Sequence, residues 1–174
     1  MKVLTEILQF VPIITLASNF IVKGNVDLSQ AGVLFAISGA MAVAVTVWLA
    51  VIRETLNPIL LGSNIWLVSG AVAFGIPVAP LATLLSNTNA VLLFATVLLV
   101  GIVQTLAKTK SGFIGMSDGS PQTIRKLSFI LLGVAAVALV WTIIFKDNIR
   151  IGGGLPFIVL NVTRRILTRR GQQP

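Results

Sequence analysis

Few side chains of this protein are of types that do chemistry, and most of them lie outside the apolar stretches where a buried site would have to form. The acids are five, Glu6, Asp27, Glu54, Asp118 and Asp147. Only Glu6 falls within an apolar run, so no two carboxylates are placed for paired acid and base work. With no His and no Cys in the chain, imidazole and thiolate metal ligands, thiol nucleophiles and disulfides are all excluded. Gly152-Gly153-Gly154 has neither the lysine-serine sequel nor the preceding strand of a phosphate-binding loop. These absences predict a protein that is not an enzyme, with no catalytic residue, no metal site and no cofactor.

Two patterns remain that could bind something. Lys108, Lys110, Arg125 and Lys126 stand in one polar interval, and Arg164, Arg165, Arg169 and Arg170 in a basic tail. A net charge of +8 could suit nucleic acid, but these cations border apolar segments and are not interleaved with aromatics. They are expected to contact anionic lipid headgroups or the acidic surface of a protein partner, and not nucleic acid. The second pattern is a recurrence from proline through apolar residues to Ser-Asn, at Pro12 to Asn19, Pro58 to Asn64 and Pro80 to Asn87. Broken helices of this kind can line a transport path, which makes Asn19, Asn64, Pro77 and Pro80 a candidate cavity. The plainer alternative is that proline opens a helical turn and asparagine closes one.

The elements that carry these residues follow from composition. Of 174 residues 56% are hydrophobic and 10% charged, with a mean hydropathy of +0.99. A soluble domain carries about 25% charged residues. The apolar residues come in blocks long enough to cross a hydrocarbon core of about 30 Å as helices. The chain is therefore expected to be all-α, a polytopic transmembrane helix bundle forming a single domain over 1–174. Its segments are expected at about 3–22, 31–52, 59–85, 90–107, 127–145 and 151–163, with a basic loop at 108–126 and a basic tail at 164–174. The first block shows no small-residue cleavage site and reads as a retained segment. Trp66 suits an interfacial anchor, and residues 86–89, Ser-Asn-Thr-Asn, a tight turn between helices. Gly32, Ala36, Ala40 and Ala44 repeat every four residues, a stripe for close helix packing either inside the monomer or against a second copy.

Charge sets the sidedness. If six segments cross with both termini inside, Lys2, Arg53, the four loop cations and the four tail arginines share the cytoplasmic side, ten against three for Lys23, Lys146 and Arg150. If the last, short segment lies on the surface, the balance is six against seven. The positive-inside rule favours six crossings over five spans plus an interfacial helix.

In segment order the chain resembles the septation protein A family. The resemblance rests on Phe10-Val11-Pro12-Ile13, on Phe74-Gly75 before Pro77, on the polar residues 86–89 and on Phe113-Ile114-Gly115-Met116 near the basic loop. It implies a small multispan protein of the bacterial inner membrane, engaged in envelope maintenance or septation through other membrane proteins, without catalytic residues. The expectation is thus a scaffold or accessory subunit whose partners are integral membrane proteins, a second copy among them, and anionic lipids. An oligomeric transporter or channel is the alternative.

Overall fold

The computed structural model describes the chain except residues 1, 24–27, 53, 55, 76–78, 108–109, 117, 147 and 173–174, and, within its helices, the side chains of residues 2–4, 6, 20–23, 28–29, 79–89 and 149. Among the described residues the backbone is all-helical: α1 (Lys2–Lys23), α2 (Leu28–Val51), α3 (Pro58–Gly75), α4 (Ala79–Leu106), α5 (Pro121–Ile144) and α6 (Leu155–Gly171), the last preceded by a π-helical turn, Ile149–Gly154. Three of these are long and apolar enough to cross a membrane: α2 from Gln30 to Val51, α3 and α5.

α3 is the central helix, packed against α1, α2 and α4. Its apolar window is 56% buried against 28% for α2 and for α5, so the latter two present much of their surface outward. Asn57 starts α3. Its side-chain Oδ1 accepts from the Ile59 N–H at 3.1 Å and its carbonyl from the Leu61 N–H at 2.8 Å, while Pro58 takes the first helical position, where a missing N–H is no loss. α2 and α3 run antiparallel, with Gly32 beside Phe74, Gly39 beside Ala71 and Thr46 bonded to Asn64 at 3.0 Å. The Phe35 ring fills the space over Gly70, where a Cβ would lie 2.2 Å from a ring carbon, and packs edge-on against Trp66 at 5.0 Å and stacked on Phe74 at 5.4 Å. α3 meets α4 as closely: a Cβ on Gly62 would stand 2.6 Å from the Val97 Cα. Where lipid replaces water outside, helices hold together by such close packing, because apolar surface gains little by leaving one apolar medium for another.

Four sequence expectations change here. The break between the third and fourth segments does not fall at residues 86–89, which lie inside α4; α3 ends at Gly75, α4 begins at Ala79, and Pro80 sits in the first turn of α4. Proline at that position opens a helix instead of bending one, and the polar residues that read as a turn are carried by the helix it starts. The last segment does not stop at residue 163: α6 continues through the four arginines to Gly171. Trp66 is not an interfacial anchor, being 5% exposed in the core. Finally, the small-residue stripe of α2 is not the seam within the chain. Gly32 packs on Phe74, but Ala36, Ala40 and Ala44 are exposed, and the buried face is Phe35, Ser38, Gly39, Ala42 and Leu49.

Candidate functional site

The basic end of the bundle is assembled from four places in the chain, and polar contacts show how they meet. The Asn57 N–H at the head of α3 donates to Gln9 Oε1 of α1 at 2.9 Å, and Asn57 Nδ2 donates to Asn161 Oδ1 of α6 at 3.4 Å. Asn161 in turn donates to the Phe157 carbonyl of its own helix at 2.9 Å. Gln9 and Asn57 are buried and Asn161 half-buried, so three helices are joined by amides whose bonding groups face one another inside the bundle. Glutamine and asparagine suit this place because each offers both donor and acceptor without charge. The sequence reading missed Gln9 and Asn161. Their signal was there, an uncharged amide set inside each of two apolar runs.

The loop between α4 and α5 closes the same end, and it is not the solvated linker that its Gly and Ser content suggests. Phe113, Ile114 and Met116 are buried to 0%, 0% and 1% exposure. Gly112 and Gly115 take φ of +57° and +69°, left-handed values that glycine adopts freely and that turn the chain inward twice. Around this plug the contacts are specific. The Ile114 N–H donates to Ser128 Oγ of α5 at 3.2 Å, and Arg164 of α6 donates from Nε to the Ile114 carbonyl at 3.0 Å. A Cβ on Gly115 would lie 2.8 Å from Pro58 Cδ and 3.0 Å from an Arg164 nitrogen, and one on Gly171 would lie 2.7 Å from a Leu127 methyl and 2.8 Å from the Met116 methyl. The basic loop, the head of α3 and the tail of α6 therefore lie together at one end, with the N-terminal part of α1 joined to them through Gln9.

The opposite end is closed by backbone capture. Thr142 Oγ1 lies 2.8 Å from both the Ala138 and the Gly152 carbonyls, and Trp141 Nε1 donates to the Ile151 carbonyl at 3.0 Å. This pins the π-helical turn to α5 and sends α6 back toward the basic loop. Lys146 and Arg150 are at this end.

Of the cations expected to bind lipid or a partner, Lys110, Arg125, Lys126, Arg165, Arg169 and Arg170 are exposed. The Arg125 guanidinium stands over the Phe129 ring, 5.7 Å from its centre. Arg164 is half-buried and holds the plug, a structural duty its place in the arginine run gave no sign of. Lys108 lies outside the described residues. The candidate cavity does not assemble among the residues described: Asn19 donates to the Thr15 carbonyl of its own helix at 2.9 Å, and Asn64, 4% exposed, is closed against Thr46. Pro77 and the side chain of Pro80 lie outside the described residues.

These features define an all-helical bundle, three helices of which could span a membrane, with cations gathered at one end. Compared with known proteins, the chain matches no family model, no curated protein and no solved structure.

Proposed function

We propose that the chain is a non-catalytic multispan membrane protein that serves as scaffold or accessory subunit, and that its α2 face is where another integral membrane protein packs. The observation that carries this is the outward row Ala36, Ala40 and Ala44, flanked by exposed Val33, Ile37, Val43 and Val47, on a helix whose opposite face already serves the core. Small side chains on an apolar outer face let a second helix approach closely enough for backbone-to-backbone packing. A second copy of this chain is one candidate partner. The proposal places the protein in a bacterial inner membrane with six crossings, the basic end and both termini cytoplasmic, and in envelope maintenance or septation, as its resemblance to the septation protein A family implies. The shared end of loop and tail supports that sidedness, since it groups the cations as the positive-inside rule requires. The transporter alternative draws no support from Asn19 and Asn64, whose amides are bonded apart from each other.

The test is purification from native membranes in several mild detergents, with the wild-type chain and Ala40→Trp compared. A defined partner or a dimer should be recovered with the wild type and lost with the variant. A wild-type chain that is always a lone monomer would overturn the proposal. Sidedness is read separately, by labelling single cysteines at Ser120, Asn148 and Gln172: only Asn148 should react from outside, and outside reaction of Gln172 with Ser120 protected would refute six crossings.

A further inference from the structure

Thr105, near the end of α4, differs from four other threonines of the helices. Thr15, Thr96, Thr142 and Thr168 each turn the hydroxyl back onto the carbonyl four residues earlier. Thr105 does not: its Oγ1 is buried with no hydrogen-bond partner, in a residue 6% exposed. A buried hydroxyl left unbonded costs on the order of 1–3 kcal/mol, so its persistence points to something outside the chain that completes it. Thr105 lines a cleft of about 460 Å³ between the end of α4, the basic loop and the start of α5.

The charged side chains that line this cleft are of one sign, among neutral residues that include Gln104. Lys110 and Arg125 line it, and so do Pro121 and Gln122 of the first turn of α5. That turn carries no acid of its own, so the positive end of the α5 dipole is not neutralised from within the helix. Ser128 lines it too, and while its oxygen accepts from the Ile114 N–H its proton is left to donate. Asp118, the acid nearest in sequence, is exposed and is not part of the lining. Hydroxyl donors at the bottom, two cations and a helix N-terminus are the donor set that a phosphate group satisfies.

We propose that this cleft binds a phosphate group, with Thr105 and Ser128 donating to its oxygens and Lys110 and Arg125 balancing its charge. The apolar surroundings favour a lipid as its bearer: Val103 and Leu106 on α4 and Phe129 and Ile130 on α5 are exposed within a turn of the lining residues, where acyl chains can lie. The Arg125 guanidinium stands over the Phe129 ring, so an aromatic side chain that can meet acyl chains lies beside a cation that can meet a phosphate. The site rests on the membrane reading but not on the α2 association.

The experiment is native mass spectrometry of the detergent-solubilised full chain, titrated with phosphatidylglycerol, phosphatidylcholine and, in a separate arm, inorganic phosphate. Phosphatidylglycerol should be retained in one-to-one stoichiometry over phosphatidylcholine. Arg125→Gln should weaken retention about tenfold and Thr105→Val, which keeps shape and loses only the hydroxyl, about fivefold. Lys126→Gln removes the same charge one residue away, outside the cleft, and should leave it within twofold. Inorganic phosphate that competes in the micromolar range would make a soluble phosphate the ligand of the same site; competition only at tens of millimolar assigns it to lipid. Equal losses for Arg125→Gln and Lys126→Gln, or wild-type retention by Thr105→Val, would overturn the site in favour of diffuse charge attraction. Ala40→Trp should retain lipid normally, so that failure of the α2 proposal and failure of this one are separable.

Discussion

Replacing Asn57 by alanine removes the acceptor that caps α3 and one bridge from α3 to α6. Its Oδ1 accepts from the Ile59 N–H at 3.1 Å, and its Nδ2 donates to Asn161 at 3.4 Å, in a residue 7% exposed. Losing an N-cap costs about 1 kcal/mol, and losing the long amide contact about 0.5 kcal/mol more. The contact to Gln9 comes from the main-chain N–H and survives, so the total expected is about 1.5 kcal/mol. Serine at the same position keeps the cap but is too short for Asn161, and should cost about 0.5 kcal/mol. The assay is reversible unfolding in mixed micelles with a rising fraction of dodecyl sulfate, read by the fluorescence of the three tryptophans. Alanine and serine should differ by about 1 kcal/mol, roughly fivefold in the folding equilibrium. Asn57→Ala combined with Asn161→Ala should cost less than the sum of the two. Coincident alanine and serine transitions would refute the capping argument, and strict additivity would refute the bridge.

Gly62→Ala should destabilise by at least 2 kcal/mol in the same assay, because its Cβ would press on the Val97 backbone, which cannot yield without parting α3 from α4. Gly133→Ala, with open space around it on α5, is its control and should stabilise by about 0.5 kcal/mol through helix propensity alone. Arg164→Gln removes the guanidinium donor to the Ile114 carbonyl, and hydrogen exchange at residues 113–116 should speed up about tenfold while exchange in α2 stays unchanged. Gly115→Ala should give the same local signature with a larger global loss, since a left-handed φ and contact with Pro58 are both violated.

The helical class and the approximate placing of the helices, the boundary between α3 and α4 excepted, were legible in this sequence because they depend on long apolar runs and on the few charges that bound them. What was not legible depends on which side of a helix a residue faces. In a soluble helix polarity marks the outer side; in α2 both faces are apolar, and the same four-residue spacing describes the outward Ala36, Ala40 and Ala44 as well as any buried seam. The seam is set by volume instead: Phe35 needs the gap left by Gly70, thirty-five residues on, and that pairing has no one-dimensional signature. The basic loop misled for a related reason. Gly112 and Gly115 look like flexibility, yet their left-handed turns deliver Phe113, Ile114 and Met116 into the core. An apolar four-residue stretch inside a polar interval was the clue, since a solvated linker has no physical reason to carry Phe-Ile-Gly-Met. Read that way the loop's two roles stop competing: the apolar residues anchor it to the bundle, and the anchoring keeps Lys110 on the same cleft as Arg125 and the unbonded hydroxyl of Thr105, where a flexible linker would have scattered its charges over solvent.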